Sequence, residues 1–497
     1  MSSQPNKPES CIQLEHIKGD ARKDMDEDAM TDEQKKAVRT VEKRLKLKLD
    51  FTILPLLSMI YFLAQMGRSD LANAAVAGMN KELGLTASQY STVASIFYVG
   101  YIVLQLPGTL LIRKIGPPAQ FGLAMLAWGL TTTLAVEIHS YGGLLAMRII
   151  VGGIEAFVQG AIFYLTFFYQ GSELATRFAI LYSTVALAGS CNGLIAYAIT
   201  LTLDGHHGWR AWRWIFLVEG ILPIACSFLV FFLLPKTPEG ASPRIFTETE
   251  KAMMVRRSRA AQNTGESSVR YKLLLKLLAD PLFWMLNVMG MALHYCTSSL
   301  SNFLPAILVG FGWTGVKAQV MSVVVYACAF VGILSFSYAS DRLAERGLIV
   351  SIGSGVAAIG YAILLGSTNL SARFAATCLC AFGTYPGIAI VGAWTSTNNP
   401  GYTYRGGALA LINMISQCIS IASSHAYDDP PIYRKGNAVA LGMMVITCVT
   451  AMALSVVYQR LNAIKKREQY SEAAEILRAR YTVDDISHRH PDVFFHV

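Results

Sequence analysis

Four ionisable residues stand inside long apolar stretches of this 497-residue chain: Arg68, Asp70, Arg148 and Glu155. A charge placed in hydrocarbon is costly, so such residues mark a functional site by default. Arg148 and Glu155 are two helical turns apart, which projects both from one face at a separation of about 10.5 Å along the axis. Arg68 comes about 25 Å along its own stretch, at a depth similar to that of Arg148 if the two stretches run in opposite directions. Two guanidinium groups at one depth on different helices suit an anion, because the planar fork grips a carboxylate in bidentate fashion. Glu155, in a low dielectric, could carry a proton. The structural alternative is that Arg148 and Glu155 pair with other helices and only stabilise the fold.

Polar stripes offer further contacts. In the run His294 to Asn302, the residues Tyr295, Ser299 and Asn302 follow i, i+4, i+7 spacing and share a helix face, and Asn413 and Gln417 are spaced i, i+4. These five are read as substrate-binding candidates, although interhelical hydrogen bonding explains such stripes equally well. His294 is read as a satisfied buried histidine. Glu219, just after Arg213-Trp214, is read with Arg213 as a structural partner of that Trp/Arg cluster. The short charged turns Arg113-Lys114 and Ser340-Asp341-Arg342 fit gating or structural contacts at helix ends, with Asp341 and Arg342 the residues in question. No nucleophile–base pair and no ligand-spaced Cys/His cluster stands out among the nine cysteines, so neither an enzyme, a metal site nor a cofactor is expected.

The elements that must position these residues follow from composition. Apolar types make up 53% of the chain and Asp, Glu, Lys and Arg only 15%, against roughly 25% charge in a soluble globular protein. Apolar stretches recur near 51–78, 88–112, 118–138, 142–169, 178–202, 213–235, 282–309, 318–339, 348–368, 372–397, 406–427 and 437–458, each long enough to cross a bilayer core of roughly 30 Å. An all-α membrane protein with twelve transmembrane helices is the expectation. Intrinsic disorder, a collagen-like repeat and a secreted disulfide scaffold are excluded. The polar interruption at 236–281 splits the spans six and six. The predicted organisation is therefore a tail (1–50), a six-helix half (51–235), a central loop (236–281), a second half (282–458) and a tail (459–497), the layout of carriers whose substrate site lies between repeats near the midplane.

Of the 42 Lys and Arg residues, 33 fall on the side of the tails and central loop, seven on the other, and two, Arg68 and Arg148, inside spans. By the positive-inside rule both termini are cytoplasmic. The formal charge of +9 thus reflects orientation rather than a nucleic-acid partner. The first 30 residues are polar and acidic, which predicts no cleaved signal peptide. A helix is expected to follow, with Val38, Val41 and Leu45 on one face among basic residues, suited either to lying on the anionic inner leaflet or to standing solvated. The Asn369-Leu370-Ser371 sequon falls in a short outer loop, where closeness to the bilayer argues against glycosylation of Asn369.

Ordered motifs carry a family resemblance over roughly residues 45 to 497. The run Arg68-Ser69-Asp70-Leu71-Ala72-Asn73-Ala74, Arg148 to Glu155-Ala156, and Trp212-Arg213-Trp214-Ile215-Phe216 to Glu219-Gly220 resemble the major facilitator superfamily. More narrowly, they look like its anion:cation symporters and the fungal allantoate permease branch. Phe303-Leu304-Pro305, Ser340-Asp341-Arg342, Tyr385-Pro386, Trp394 through Asn399, Arg405, Pro431-Ile432-Tyr433-Arg434 and His490-Pro491-Asp492 fit as well. The resemblance implies the major facilitator fold and a plasma-membrane carrier, functional as a monomer among membrane lipids, that takes up small organic anions (carboxylates or vitamin-like compounds) with protons by alternating access. It implies that Arg68 and Arg148 hold the anion and that Glu155 takes a proton. The family usually has Asp where this chain has Gly67, and Asn where it has Asp70. Asp70 lies three residues on, about −60° around the helix, and could partly replace the missing carboxylate. Altered coupling, an exporter of a secondary metabolite or toxic compound, and a non-transporting nutrient sensor remain the alternatives.

Overall fold

The computed structural model describes residues 32–170, 173–240, 245–260, 270–311, 316–426 and 433–497. Among the described residues the regular structure is entirely helical. That is what an apolar chain must adopt where no water can satisfy its backbone, since a helix pairs its own amides and carbonyls. The first part comprises α1 (Asp32–Thr52), α2 (Leu54–Val76), α3 (Ala87–Leu110), α4 (Pro117–Thr133), α5 (Tyr141–Glu155), α6 (Gly160–Leu165), α7 (Leu174–Leu203) and α8 (Ala211–Leu233). The polar interruption holds α9 (Glu248–Ala260) and α10 (Tyr271–Leu278). Then come α11 (Pro281–Gly310), α12 (Val316–Leu343), α13 (Arg346–Gly366), α14 (Leu370–Asn398), α15 (Tyr402–Ala426), α16 (Arg434–Glu468) and α17 (Glu472–Arg480).

Among the described residues eleven helices are long and apolar enough to cross a membrane, and there are twelve if the bent pair Tyr271–Leu278 with Pro281–Ser301, turned by 75°, is one span. The faces they turn outward are apolar: Val103, Leu123, Val331 and Val449 are each more than half exposed. Patches of that kind need lipid rather than water around them. Starts are set by local chemistry. A capping box of Thr86 and Gln89 opens α3, and the Ser140 hydroxyl accepts from the Gly143 amide at α5. At α14 the carboxamide oxygen of Asn369 accepts from the Ser371 and Ala372 amides, so this sequon asparagine serves as a helix cap.

Two findings differ from the sequence expectation. The helix before the first span neither lies free nor shows its apolar stripe to lipid. Leu45 and Leu49 are fully buried, and Val38 and Val41 pack on the same core. Its charges are neutralised from above: Lys46 contacts Glu173 at 2.5 Å, Arg257 of α9 bridges Glu42 and Glu173, Lys48 meets Glu250 at 2.7 Å and Asp50 meets Arg177 at 2.8 Å. Burial works against charge on Glu173, but Arg257 and Lys46 outweigh it and hold the carboxyl below its ordinary value. The second difference is in the fourth span. It is no single helix, because a 3-10 stretch at Ala156–Gln159 separates α5 from α6.

The described parts of the tails and of the central connection gather at one end of the bundle. There the first six and last six spans meet. The Tyr402 hydroxyl donates to the Leu110 carbonyl at 2.7 Å, the Arg113 guanidinium lies 5.5 Å from the Tyr402 ring centre, and the Thr176 amide donates to Asp341 at 2.7 Å. The C-terminal segment docks at the same end: Asn398 exchanges two hydrogen bonds with the His496 backbone, and Asn462 two with that of Phe495.

Candidate functional site

The fold brings Arg68, Asp70, Arg148 and Glu155 into one buried cluster. Arg148 and Glu155 ride on α5, which approaches α3 so closely that side chains are excluded at the crossing. A Cβ on Gly152 would lie 2.1 Å from the Phe97 carbonyl oxygen, and one on Gly100 would lie 2.3 Å from that of Ile149. Small residues let backbones pack at this distance, and the crossing lays the α5 arginine against aromatic rings of α3. Arg148 stands 6.0 Å from the centre of Phe97, while Arg68 lies 5.6 Å from Phe97 and 4.8 Å from Tyr101. The faces of those rings attract cations.

The acids take unequal positions. Glu155, 2% exposed at its side chain, accepts from Arg68 Nε at 2.9 Å. Asp70 is fully buried and accepts at Oδ1 from Asn192 Nδ2 of α7 at 3.2 Å. Asn192 also donates to the Met66 carbonyl at 3.0 Å, fixing the turn of α2 that carries both Arg68 and Asp70. Several buried polar atoms are left without partners: Arg68 Nη2, Arg148 Nε and Asp70 Oδ2. Buried donors on guanidinium groups are rarely left unmatched, and here each arginine of the cluster carries one.

Next to this cluster lies a cavity of about 40 Å³ between the first and last six spans, lined among others by Gln105, Gln159, Tyr182, His294, Thr395 and Asn413. Gln159 ends the 3-10 stretch one turn after Glu155. Its side-chain Oε1 accepts from the Tyr61 hydroxyl at 2.9 Å and from Asn413 Nδ2 at 3.2 Å, and Gln417 Nε2 donates to Asn413 Oδ1 at 3.4 Å. Asn413 and Gln417 are thus joined to the first six spans through a residue that sequence reasoning passed over.

The other expected residues fall elsewhere. Tyr295 and Ser299 are buried on the face of α11 away from that cavity, which meets α11 at Gly290, Leu293 and His294. The Ser299 hydroxyl turns back onto the Tyr295 carbonyl at 2.7 Å. The side chain of Asn302 lies outside the described residues. His294 bonds the Gly290 carbonyl through Nδ1 at 3.0 Å yet lines the cavity. Arg342 is exposed and donates to the Tyr338 hydroxyl at 3.3 Å, whereas Asp341 joins the two groups of spans as described above.

One assignment is corrected. Glu219 is no partner of the Trp/Arg cluster: Arg213 and Trp212 both donate instead to Glu82, at 2.9 and 2.7 Å. Glu219 is six residues beyond Arg213, about 9 Å along the helix and off its face, and both its carboxylate oxygens are buried without partners. Burial works against charge on Glu82, but the hydrogen bonds from Trp212 and Arg213 outweigh it and hold the carboxyl below its ordinary value. Gln159 was legible as the i+4 neighbour of Glu155. Nothing in the sequence singled out Asn192 except its polarity inside a span.

An all-helical bundle of membrane-crossing length, with a neutral four-charge cluster and a cavity between its two groups of spans, is the anatomy of a membrane carrier. The chain belongs to the Major Facilitator Superfamily, whose family model matches residues 57–424. It is 31% identical over 443 residues to an uncharacterised transporter of Schizosaccharomyces pombe, covering 88% of this chain and 87% of that one. It is 28% identical over 431 residues to the high-affinity nicotinic acid transporter of Saccharomyces cerevisiae, covering 86% and 80%. The solved structure of the superfamily transporter FucP in its outward conformation matches 81% of this chain and 98% of its own at a TM-score of 0.61 and 15% identity, a likeness of fold. The protein is a transporter of this superfamily.

Proposed function

We propose that the protein is a secondary active carrier of a small organic anion, a carboxylate or vitamin-like compound, taken up with protons by alternating access. The observation that carries this reading is the pair of buried donors on Arg68 and Arg148 that have no hydrogen-bond partner among the described residues. The likeness to a nicotinic acid transporter supports a carboxylate, as does the resemblance of the motif set to the allantoate permease branch of the anion:cation symporters. Arg68 and Arg148 grip the carboxylate. Glu155 and Asp70 are the acids available to take up a proton. Asn413 and Gln417, with Gln159, face the rest of the substrate. The two six-helix halves rock around this site, with the tails and the central loop in the cytoplasm of a plasma-membrane monomer, as the basic bias of that side favours.

The test is uptake of labelled nicotinate and related carboxylates into proteoliposomes with an imposed pH gradient. Accumulation above equilibrium with acid outside, abolished when the gradient is collapsed, is expected for at least one compound. Equal entry into protein-free vesicles across the panel refutes the reading.

A further inference from the structure

We infer that His294 sets the specificity of the carrier: its free ring nitrogen accepts a hydrogen bond from the substrate, which selects carboxylates that also carry an amide N–H. This deepens the reading above and rests on it. The charged cluster grips the carboxylate, and the cavity beside it reads what is attached. Of the imidazole and amide groups that line this cavity, Asn413 donates to Gln159 and accepts from Gln417. His294 and Gln105 hold open positions.

The His294 ring is fixed in one tautomer. Its Nδ1 lies 3.0 Å from the Gly290 carbonyl oxygen, and a carbonyl only accepts, so Nδ1 carries the hydrogen. With Nδ1 turned back onto its own helix, Nε2 at the far edge of the ring points away from it. Nε2 has no partner among the described residues. The cavity wall around the ring is apolar, at Leu293, Ile388, Val391 and Ile412, and the charge that acts on the ring is that of Arg68. A second proton would add positive charge to an apolar wall already facing that guanidinium, which is costly. Nε2 is therefore an acceptor.

Gln105 reaches the same cavity from the first six spans. It follows Tyr101 by four residues on α3, so it shares that face about 6 Å further along. Tyr101 is the ring that Arg68 approaches to 4.8 Å. Gln105 is 1% exposed, and its Oε1 is buried without a partner. A carboxamide can offer either its oxygen or its NH2 edge to a ligand. An amide on the substrate answers both residues: its N–H donates to His294 Nε2 and its carbonyl accepts from Gln105. The ligand then touches α3 of the first six spans and α11 of the last six, and such contacts favour the state in which the two groups close on it. A site built around a hydrogen bond rejects analogues that lack the donor.

The experiment measures binding to purified protein by calorimetry at neutral pH, with melting curves of each variant recorded alongside. The probes are the mono-N-methylamides of malonate, succinate and glutarate, the monomethyl esters of the same acids, and nicotinate. Within each amide and ester pair only N–H is exchanged for O, and the series varies the distance from carboxylate to amide. At one length or more the amide should bind the wild type about tenfold tighter than its ester. His294→Phe keeps a flat ring without an acceptor and should bring that ratio close to one; His294→Leu serves the same purpose if the first variant folds poorly. A merely structural role would weaken both members of a pair alike and leave their ratio unchanged. Equal binding of amide and ester at every length, tighter binding of the esters, or an amide preference that survives in a folded His294 variant overturns the assignment while leaving the anion carrier intact. Binding of nicotinate with none of the amides does the same. Failure of amides, esters and nicotinate alike to bind the wild type overturns both.

Discussion

Replacing Glu155 by glutamine isolates the competition at Arg68. The substitution keeps the side chain's shape and an oxygen that can accept from Arg68 Nε, but removes the negative charge 2.9 Å away. Charge centres about 4 Å apart attract by about 4 kcal/mol at an effective dielectric near 20, which sets the upper limit. The net worth of a hydrogen bond to a charged partner is about 1.5–3 kcal/mol. A substrate carboxylate that no longer has to displace Glu155 should gain that much, so its Kd falls roughly tenfold to a hundredfold. Association rates vary little within one site, so the gain appears as slower release, and turnover drops as affinity rises. The unliganded variant carries an excess positive charge, and removing one partner of a buried pair costs about 3–5 kcal/mol of stability. Saturating substrate should recover about 2.7 kcal/mol at a hundredfold excess over Kd. Equilibrium binding of labelled substrate to purified protein, paired with melting curves, reads both effects. A Kd that is unchanged or weaker in Glu155→Gln refutes the idea that Glu155 and substrate compete for Arg68.

Three further outcomes are expected. Arg148→Ala removes the second guanidinium and leaves Arg68 neutralised by Glu155, so anion uptake is abolished at unchanged protein level; wild-type-like uptake in membranes of the variant contradicts the site. Phe495 stacks on Tyr458 at 4.5 Å and is 7% exposed, so Phe495→Ala should destabilise the docked C-terminal segment by about 3 kcal/mol, read as a lower Tm in detergent. Glu82, held below its usual carboxylate value of 4.5 by Trp212 and Arg213, contributes stability that is present at pH above that value and lost as pH falls through the lowered one. Melting curves at pH 7 and pH 4 should therefore differ less in Glu82→Gln than in the wild type.

The bundle was legible because hydrocarbon thickness leaves a length signature in the sequence. Each of the twelve apolar stretches falls on helical structure, the fourth on two helices joined by a 3-10 stretch, and α16 runs on to Glu468, where polar residues carry the helix past any membrane. The gathering of Arg148, Glu155 and Arg68 was legible because helix periodicity fixes face and depth. The polar stripe of α11 was harder to read. A helix buried on all sides carries polar residues on more than one face, and periodicity alone does not say whether Tyr295 or His294 turns to the cavity. Asn192 and Gln159 were passed over because single neutral amides inside spans look like ordinary interhelical glue. The packing of α1 was invisible for another reason: the acids that neutralise its lysines, Glu173 and Glu250, lie far away in sequence and meet it only in the fold.

The position of Glu155 ties the charged cluster to the contact between the two groups of spans. Glu155 is the last residue of α5, the 3-10 stretch begins at the next residue, and that stretch ends at Gln159, whose oxygen holds both Tyr61 and Asn413. Short 3-10 stretches within a span have poorer hydrogen-bond geometry and often mark hinges. Before that stretch α5 is pinned to α3 by the backbone contacts at Gly100 and Gly152, and within it Phe157 packs on Gly108 while its carbonyl accepts from Gln120 at 2.9 Å. A closely packed element therefore presents Arg148 and Glu155, and a single 3-10 turn separates them from the amide bridge to the last six spans. A ligand shifts a two-state equilibrium only through contacts that differ between the states. In the proposed cycle, the contact that changes when substrate takes Arg68 from Glu155 lies four residues from the bridge that must break or re-form as the halves rock, so anion binding and reorientation act on the same turn.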